Sequence, residues 1–333
     1  MLNSQAVKEL SDIKERVKHN VHFAEVQKYH DNVLWVTISR TPRVTLDCTI
    51  LFTEYYPQDP LIIQLKSKTL SDELLKGLVK LLDENCKKYV GQYQVVIQMK
   101  FLSDYLVDNL FCCCFDEFQK IKREVCSDFV ELKPKQKKGV AQFKIKCRGH
   151  QSLVKITVPV NYPNEAVAID LKEFESTLPQ YLTNPILKQA VEEVRKCVEP
   201  PLNLKLLKGK PFEIKPSFYH VVKFLIVDSL LLFKQTECKL CGEPAFPDNP
   251  NEVRTYERDP MYVERVYCGH IFHFGCLHKL INTPPFNENK QCPVCKLTIY
   301  HERWKETPQV LADRWAHKQA KQRELEEVID FLQ

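Results

Sequence analysis

The hexapeptide YYPQDP, Tyr55 to Pro60, has an echo in NYPNEA, Asn161 to Ala166, and this pair decides how residues 1–233 are read. Each Tyr-Pro turn lies before the last of a run of β-rich, alternating stretches. In the first run these are VLWVTIS, RVTLDCTILF and LIIQLK; in the second they are DFVELK, VAQFKIKC, LVKITVPV and VAIDL. Each run follows a helical pattern, SQAVKELSDIKERVKHN or DEFQKIKREVCSDF. Each is followed by another, SDELLKGLVKLLDENCKKY or NPILKQAVEEVRKCVEP, and closes on a short apolar helix, YLVDNLF or LIVDSLLL. Landmarks recurring in one order read as two copies of one α+β unit, expected over 1–111 and 115–233. Extra length in the second copy falls in the Pro- and Lys-rich loop PPLNLKLLKGKPFEIKP.

The composition is that of a folded chain: of 333 residues, 44% are hydrophobic and 27% charged. A net charge of +5 is too mild to imply nucleic acid as a partner, and none is expected. The N-terminal MLNSQAVKELSDIKERVKHN is charged throughout and does not read as a secretory signal. The most apolar stretch, FLIVDSLLLF, is short and carries Asp228, so no membrane association is expected. Fourteen cysteines without such a signal point to a reducing compartment, cytoplasmic and/or nuclear, and to thiols or metal ligands.

Six of those cysteines lie between Cys238 and Cys295, and two histidines join them. The order is Cys238-x2-Cys241, 26 residues, Cys268-x-His270, His273-x2-Cys276, 15 residues, Cys292-x2-Cys295. A Cys-x2-Cys turn lets two thiolates converge on one tetrahedral ion. Four close pairs, two of them Cys-x2-Cys, make two complete four-ligand sets, so two zinc ions are expected, with no open position for an activated water. Phe272 is expected to pack between them in a very small core. A redox role for the Cys-x2-Cys pairs is disfavoured, because neither lies in a βαβ pattern.

At these residues the chain resembles the RING finger family in its two-histidine form. The resemblance implies interleaved pairs, with Cys238, Cys241, His273 and Cys276 on one zinc and Cys268, His270, Cys292 and Cys295 on the other. It implies a surface for a ubiquitin-conjugating enzyme at Leu240, Leu280, Ile281 and Pro293. Leu280 departs from the Trp that many members carry. Lys296, directly after the last ligand, matches the position of a cation that in active members bridges the conjugating enzyme and its ubiquitin.

The repeated unit is similar to the RWD domain, a relative of the ubiquitin-conjugating fold. Two such units followed by a cross-braced two-zinc finger over 238–300 resemble the RWD–RING ubiquitin ligases. The layout is similar to that of the Fanconi anaemia group L ubiquitin ligase without its N-terminal domain. The resemblance implies a RING-type ubiquitin-protein ligase acting without a covalent ubiquitin intermediate. Its partners would be a conjugating enzyme, ubiquitin and a protein substrate, and its RWD units would bind protein. The alternative is a non-catalytic zinc-finger scaffold or adaptor. Cys86 and Cys197 lie on expected helices, outside any His-Pro-Asn context, and are not expected to carry ubiquitin.

Three features stand apart. Cys112, Cys113 and Cys114 join the two units and read as half-buried thiols. The basic stretches KPKQKKGVAQFKIKCRGH and KLLKGKPFEIK read as solvated. PQVLADRWAHKQAKQRELEEVIDFLQ, 308–333, reads as a helix started by Pro308, with Leu311, Trp315, Leu325, Ile329 and Leu332 near one face. Lys318 and Gln322 interrupt that stripe, so the expectation is docking on its own protein rather than a long coiled coil.

Overall fold

A computed structural model of the chain describes residues 4–201, 210–286, 290–300, 303–304 and 306–332; of residues 4, 327, 328 and 330–332 only the backbone is described. Helices α1 (Ser4–Ser11) and α2 (Ile13–Asn20) lead into a meander of β1 (Ala24–His30), β2 (Val33–Thr41), β3 (Val44–Leu51) and β4 (Ile62–Lys66). The strands lie in the order β1-β2-β3-β4, each pair antiparallel. Register follows the alternation: Val36 faces Cys48, and Cys48 faces Leu65. One face therefore collects Leu34, Val36, Ile38, Leu46, Cys48 and Ile50, all buried. α3 (Asp72–Lys88) and α4 (Val95–Asp108) follow. Ser71 caps α3, accepting the Glu73 amide at 3.3 Å, and α3 turns Leu74, Leu75, Leu78, Leu82 and Cys86 inward. β1 has no expectation in the sequence, because AEVQKYH is mostly exposed and carries little apolar alternation.

A second run of helix then strands follows: α5 (Phe115–Glu124), then β5 (Val130–Lys135), β6 (Val140–Cys147), β7 (His150–Thr157), β8 (Ala168–Ile169) and β9 (Glu175–Ser176). The order is β5-β6-β7-β8, with β9 pairing β7. The first basic stretch is strand as much as loop. It runs from β5 through a turn at Gly139 into β6, and its outward positions carry Lys133, Lys135, Lys144 and Lys146. Gly139 has φ 63°, and a Cβ there would sit 2.7 Å from the Val158 carbonyl oxygen. α6 (Gln180–Val198) follows, then α7 (Phe218–Val222), a π-helical stretch (Lys223–Leu231) and α8 (Leu232–Gln235). Of the loop expected at 200–216, residues 200, 201 and 210–216 are irregular, and 202–209, with part of the second basic stretch, lie outside the described residues.

Each Tyr-Pro turn buries its tyrosine against a glutamate from the preceding helix. Tyr56 donates its hydroxyl to Glu9 and accepts the Gln94 amide at 2.8 Å, while Glu9 accepts the Val95 amide at 2.9 Å. Tyr162 donates to Glu117 at 2.5 Å and accepts the amides of Ser217 and Phe218 at 2.7 and 3.0 Å, while Glu117 accepts Tyr219 N–H at 2.9 Å. The turn is thus the N-terminal cap of the closing helix, whose first amides have no partner within the helix. Burial raises both carboxyls above the usual carboxylate range, against the hydrogen bonds that lower them.

The Cys- and His-rich segment expected as a finger contains β10 (Val263–Arg265), β11 (Ile271–His273) and α9 (Phe274–Ile281), and α10 (Pro308–Leu332) follows. The chain packs into two compact units. One comprises Met1–Lys144, Leu153–Glu175 and Leu187–Val227; the other comprises Ile145–Ser152, Ser176–Ile186 and Asp228–Gln333. Within the second, the β6–β7 turn holds the long excursion between Cys241 and Cys268. The His150 ring lies 2.7 Å from the Pro247 carbonyl oxygen, Arg148 pairs with Asp248 at 2.9 Å, and a Cβ on Gly149 would overlap the Asp248 carbonyl. Among the described residues no helix is long and apolar enough to cross a membrane.

Candidate metal centre

Two similar turns present the Cys-x2-Cys pairs. In the first, the Cys238 amide donates to Glu243 O at 2.8 Å and the Gly242 amide to Cys238 O at 2.8 Å. In the second, the Cys292 amide donates to Leu297 O at 2.8 Å and the Lys296 amide to Cys292 O at 2.9 Å. Short bridges, Glu237 with Pro244 and Gln291 with Thr298, close both. Such a turn needs a left-handed residue after its second cysteine: Gly242 has φ 81°, and Lys296 takes the same place with φ 62°. The other pairs lie on the β10–β11 hairpin and its exit. Cys268 and His270 flank Gly269, φ 91°, in the hairpin turn. His273 ends β11 and Cys276 lies in the first turn of α9.

These placements gather Cys238, Cys241, His273 and Cys276 in one set and Cys268, His270, Cys292 and Cys295 in another. In each set the ligand atoms all lie within 4.8 Å of one another. Both histidines turn Nδ1 toward the thiols: His273 Nδ1 is 3.3 Å from Cys241 Sγ, and His270 Nδ1 is 3.3 and 3.6 Å from Cys268 and Cys292 Sγ. A tetrahedral zinc with ordinary bond lengths holds sulfur and nitrogen about 3.5 Å apart, so the spacing fits. His273 Nε2 is 3.1 Å from Pro244 O, a contact that fixes the ring and leaves Nδ1 to the ion. Burial opposes ionisation of Cys238. The hydrogen bond with His273 and the amides of His273, Leu240 and Cys241 outweigh it and bring the thiol down to about 6. Both sets can hold a metal ion; three thiolates and one imidazole in a tetrahedron suit zinc, with no position left for substrate.

Phe272, fully buried, packs with Cys238, Val266, Leu277, Ile281 and Cys292 in the small core. Leu240 and Leu280 lean on that core and stay half-exposed, Pro293 is half-exposed, and Lys296 is exposed. Ile281 is only 5% exposed: α9 turns it inward with Leu277, so it presents no surface to a partner. A clamp after the second turn had no signal in the sequence. Arg303 pairs with Glu257 and Glu264 at 2.7 and 2.8 Å and lies between the Tyr262 and Phe274 rings, while Trp304 stacks on Phe274. Oppositely charged residues that far apart in the chain announce no pairing.

Residues 3–106 match the RWD domain family. No curated protein matches the chain. Within the RWD domain, Cys86 is buried on α3 and burial pushes its thiol up to about 11, which suits packing and not a thioester. Cys197, on α6, is half-buried and likewise raised by burial. Cys112 and Cys114 are buried, and Cys113, half-buried, donates to Leu110 O at 3.1 Å.

Proposed function

We propose that the chain is a RING-type ubiquitin-protein ligase with two zinc ions, whose finger binds a ubiquitin-charged conjugating enzyme. The observation that supports this reading is the interleaving: first and third pairs converge on one point and second and fourth on another, around Phe272, in a chain with an RWD domain at 3–106. The zinc ions would hold the two turns and the hairpin at fixed distance, since closed tetrahedral sites supply shape and no chemistry on substrate. Leu240 and Leu280, which lean on the finger core, would form the enzyme-binding face with half-exposed Pro293. Lys296 would reach from its left-handed position to carbonyls of both the conjugating enzyme and its ubiquitin, so that the thioester is held in a reactive pose. No covalent intermediate on this chain is needed.

The residues 115–233 would form a second RWD-related unit. Its support is the repeated device of Tyr162, Glu117 and the amides of 217–219, which matches Tyr56, Glu9 and the amides of 94 and 95. Both units would bind the substrate or the conjugating enzyme. The test is discharge of ubiquitin from a panel of charged conjugating enzymes by the zinc-loaded chain. Acceleration with at least one enzyme, lost in Leu240→Ala, is expected. A folded, two-zinc protein that accelerates none would instead be a scaffold built on the same finger.

A further inference from the structure

α10 runs over 25 residues, and among its described side chains those near its start pack on the rest of the chain. Leu311 packs on the finger core, and Trp315 meets Phe286 at 6.3 Å between ring centroids. Beyond Gln319 every described side chain is exposed, including Leu325 at 61% and Ile329 at 47%. The expected docking on its own protein thus stops halfway along. A helix of that length projecting with apolar residues in water is marginal without a second surface.

Its charges say what that surface is. From Arg314 to Arg323 the charged side chains are all cationic or histidine: Arg314, His317, Lys318, Lys321 and Arg323. From Glu324 to Asp330 they are all anionic: Glu324, Glu326, Glu327 and Asp330. Among the described residues Lys318, Lys321 and Arg323 make no ion pair. A parallel copy would stack like on like. An antiparallel copy sets the basic half of each helix against the acidic half of the other, and a two-fold axis satisfies both halves at once. With that axis at Gln322, Ile329 falls opposite Trp315 of the second copy, Leu325 opposite the uncharged Gln319, and Lys318 opposite Glu326.

We propose that 314–330 is a self-association surface, and that the chain forms a two-fold dimer through antiparallel α10 helices. Sedimentation of the full zinc-loaded chain over a concentration series tests it, independently of any ubiquitin transfer. A reversible dimer is expected, loosened by added salt. Leu325→Glu with Ile329→Glu should raise its dissociation constant at least about tenfold, since anions would replace the two aliphatic side chains of the seam. Lys318→Glu should weaken it, and adding Glu326→Lys to that variant should restore it. All these side chains are exposed within one chain, so the zinc content of each variant should stay at the parental level. A chain that is monomeric at every concentration would overturn the proposal. So would a dimer indifferent to the apolar pair, or a charge swap that restores nothing.

Discussion

Lys234 is 2% exposed, and its ammonium has one neutral acceptor, Ile145 O at 3.3 Å. Burial brings it down from 10.5 to about 8, with Cys147 opposing weakly. The folded state therefore binds that proton less tightly than the unfolded chain. Below pH 8 both states are charged and the full penalty, about 3 kcal/mol, applies; between 8 and 10.5 it is relieved as the folded form loses its proton first. Lys234→Met should raise stability at pH 7 by about 1–3 kcal/mol and flatten the rise between pH 8 and 10.5, read from urea unfolding at several pH values. A destabilised variant would mean that the charge has a partner worth keeping. Tyr56 is the opposite case, a buried hydroxyl that both donates and accepts. Tyr56→Phe removes one donor to Glu9 and leaves the Gln94 amide without its acceptor, so the RWD domain should lose about 1–3 kcal/mol, visible as faster amide exchange in β1–β4. Unchanged exchange would show that water replaces the hydroxyl there. At Lys296 the left-handed backbone is shared with Gly242, so the side chain and not the turn is what an alanine removes. If the ligase reading holds, Lys296→Ala should keep both zincs and its affinity for the conjugating enzyme yet slow discharge at least about tenfold, roughly 1.4 kcal/mol of barrier. Discharge at the parental rate would remove Lys296 from the mechanism.

Among the elements, the finger is the one that its own core cannot hold. Its central cluster is six residues, two of them ligand cysteines. Structural zinc contributes on the order of 10–16 kcal/mol in domains of this size, more than such a cluster replaces. Cys238→Ser, or a strong chelator, should unfold β10, β11 and α9 and leave the RWD domain intact, because β1–β4 and their helices have a separate core. Hydrogen exchange resolved by segment checks this: loss of protection in 24–106 on chelation would tie the two folds together. In the RWD domain, in contrast, α3 is legible in full, whereas of α4 only the end is expected, as YLVDNLF. α3 is expected from the pattern SDELLKGLVKLLDENCKKY, and the structure forms it over Asp72–Lys88. The π-helical stretch at Lys223–Leu231 is not legible, since an unbroken apolar run fits α and π windings equally well.

At the scale of the molecule, the chain's packing divides elsewhere than between the units expected from sequence. The β6–β7 turn and the start of α6 belong by contact with the finger, through His150, Arg148, Gly149 and the stacked pair Tyr181 and Tyr262. This gives the excursion between Cys241 and Cys268 a purpose beyond spacing, since Pro247 and Asp248 are its contact points. His150 is buried, and desolvation lowers its affinity for a proton below the ordinary value of 6.5. Its neutral form is the one that fits, so the contact should weaken as pH falls below 6.5, where the unfolded chain takes up a proton that the folded one resists. Exchange of the 244–254 amides at about pH 5.5 and 7.5 reports it, and equal protection at both would locate the hold elsewhere.

The sequence by itself determined what depends on local spacing. Close Cys and His pairs, each Tyr-Pro turn and alternation in β2 and β3 are all patterns within a few residues, where backbone geometry dictates who can meet. It also determined that the eight ligands are enough for two ions. Only the tertiary structure decided that first and third pairs converge, that Tyr56 and Tyr162 cap helices 38 and 55 residues later, that Ile281 turns inward, and that α10 leaves Leu325 and Ile329 bare. These are meetings between segments distant in the chain, and which of them form depends on the shape of the whole core, a quantity no local window contains.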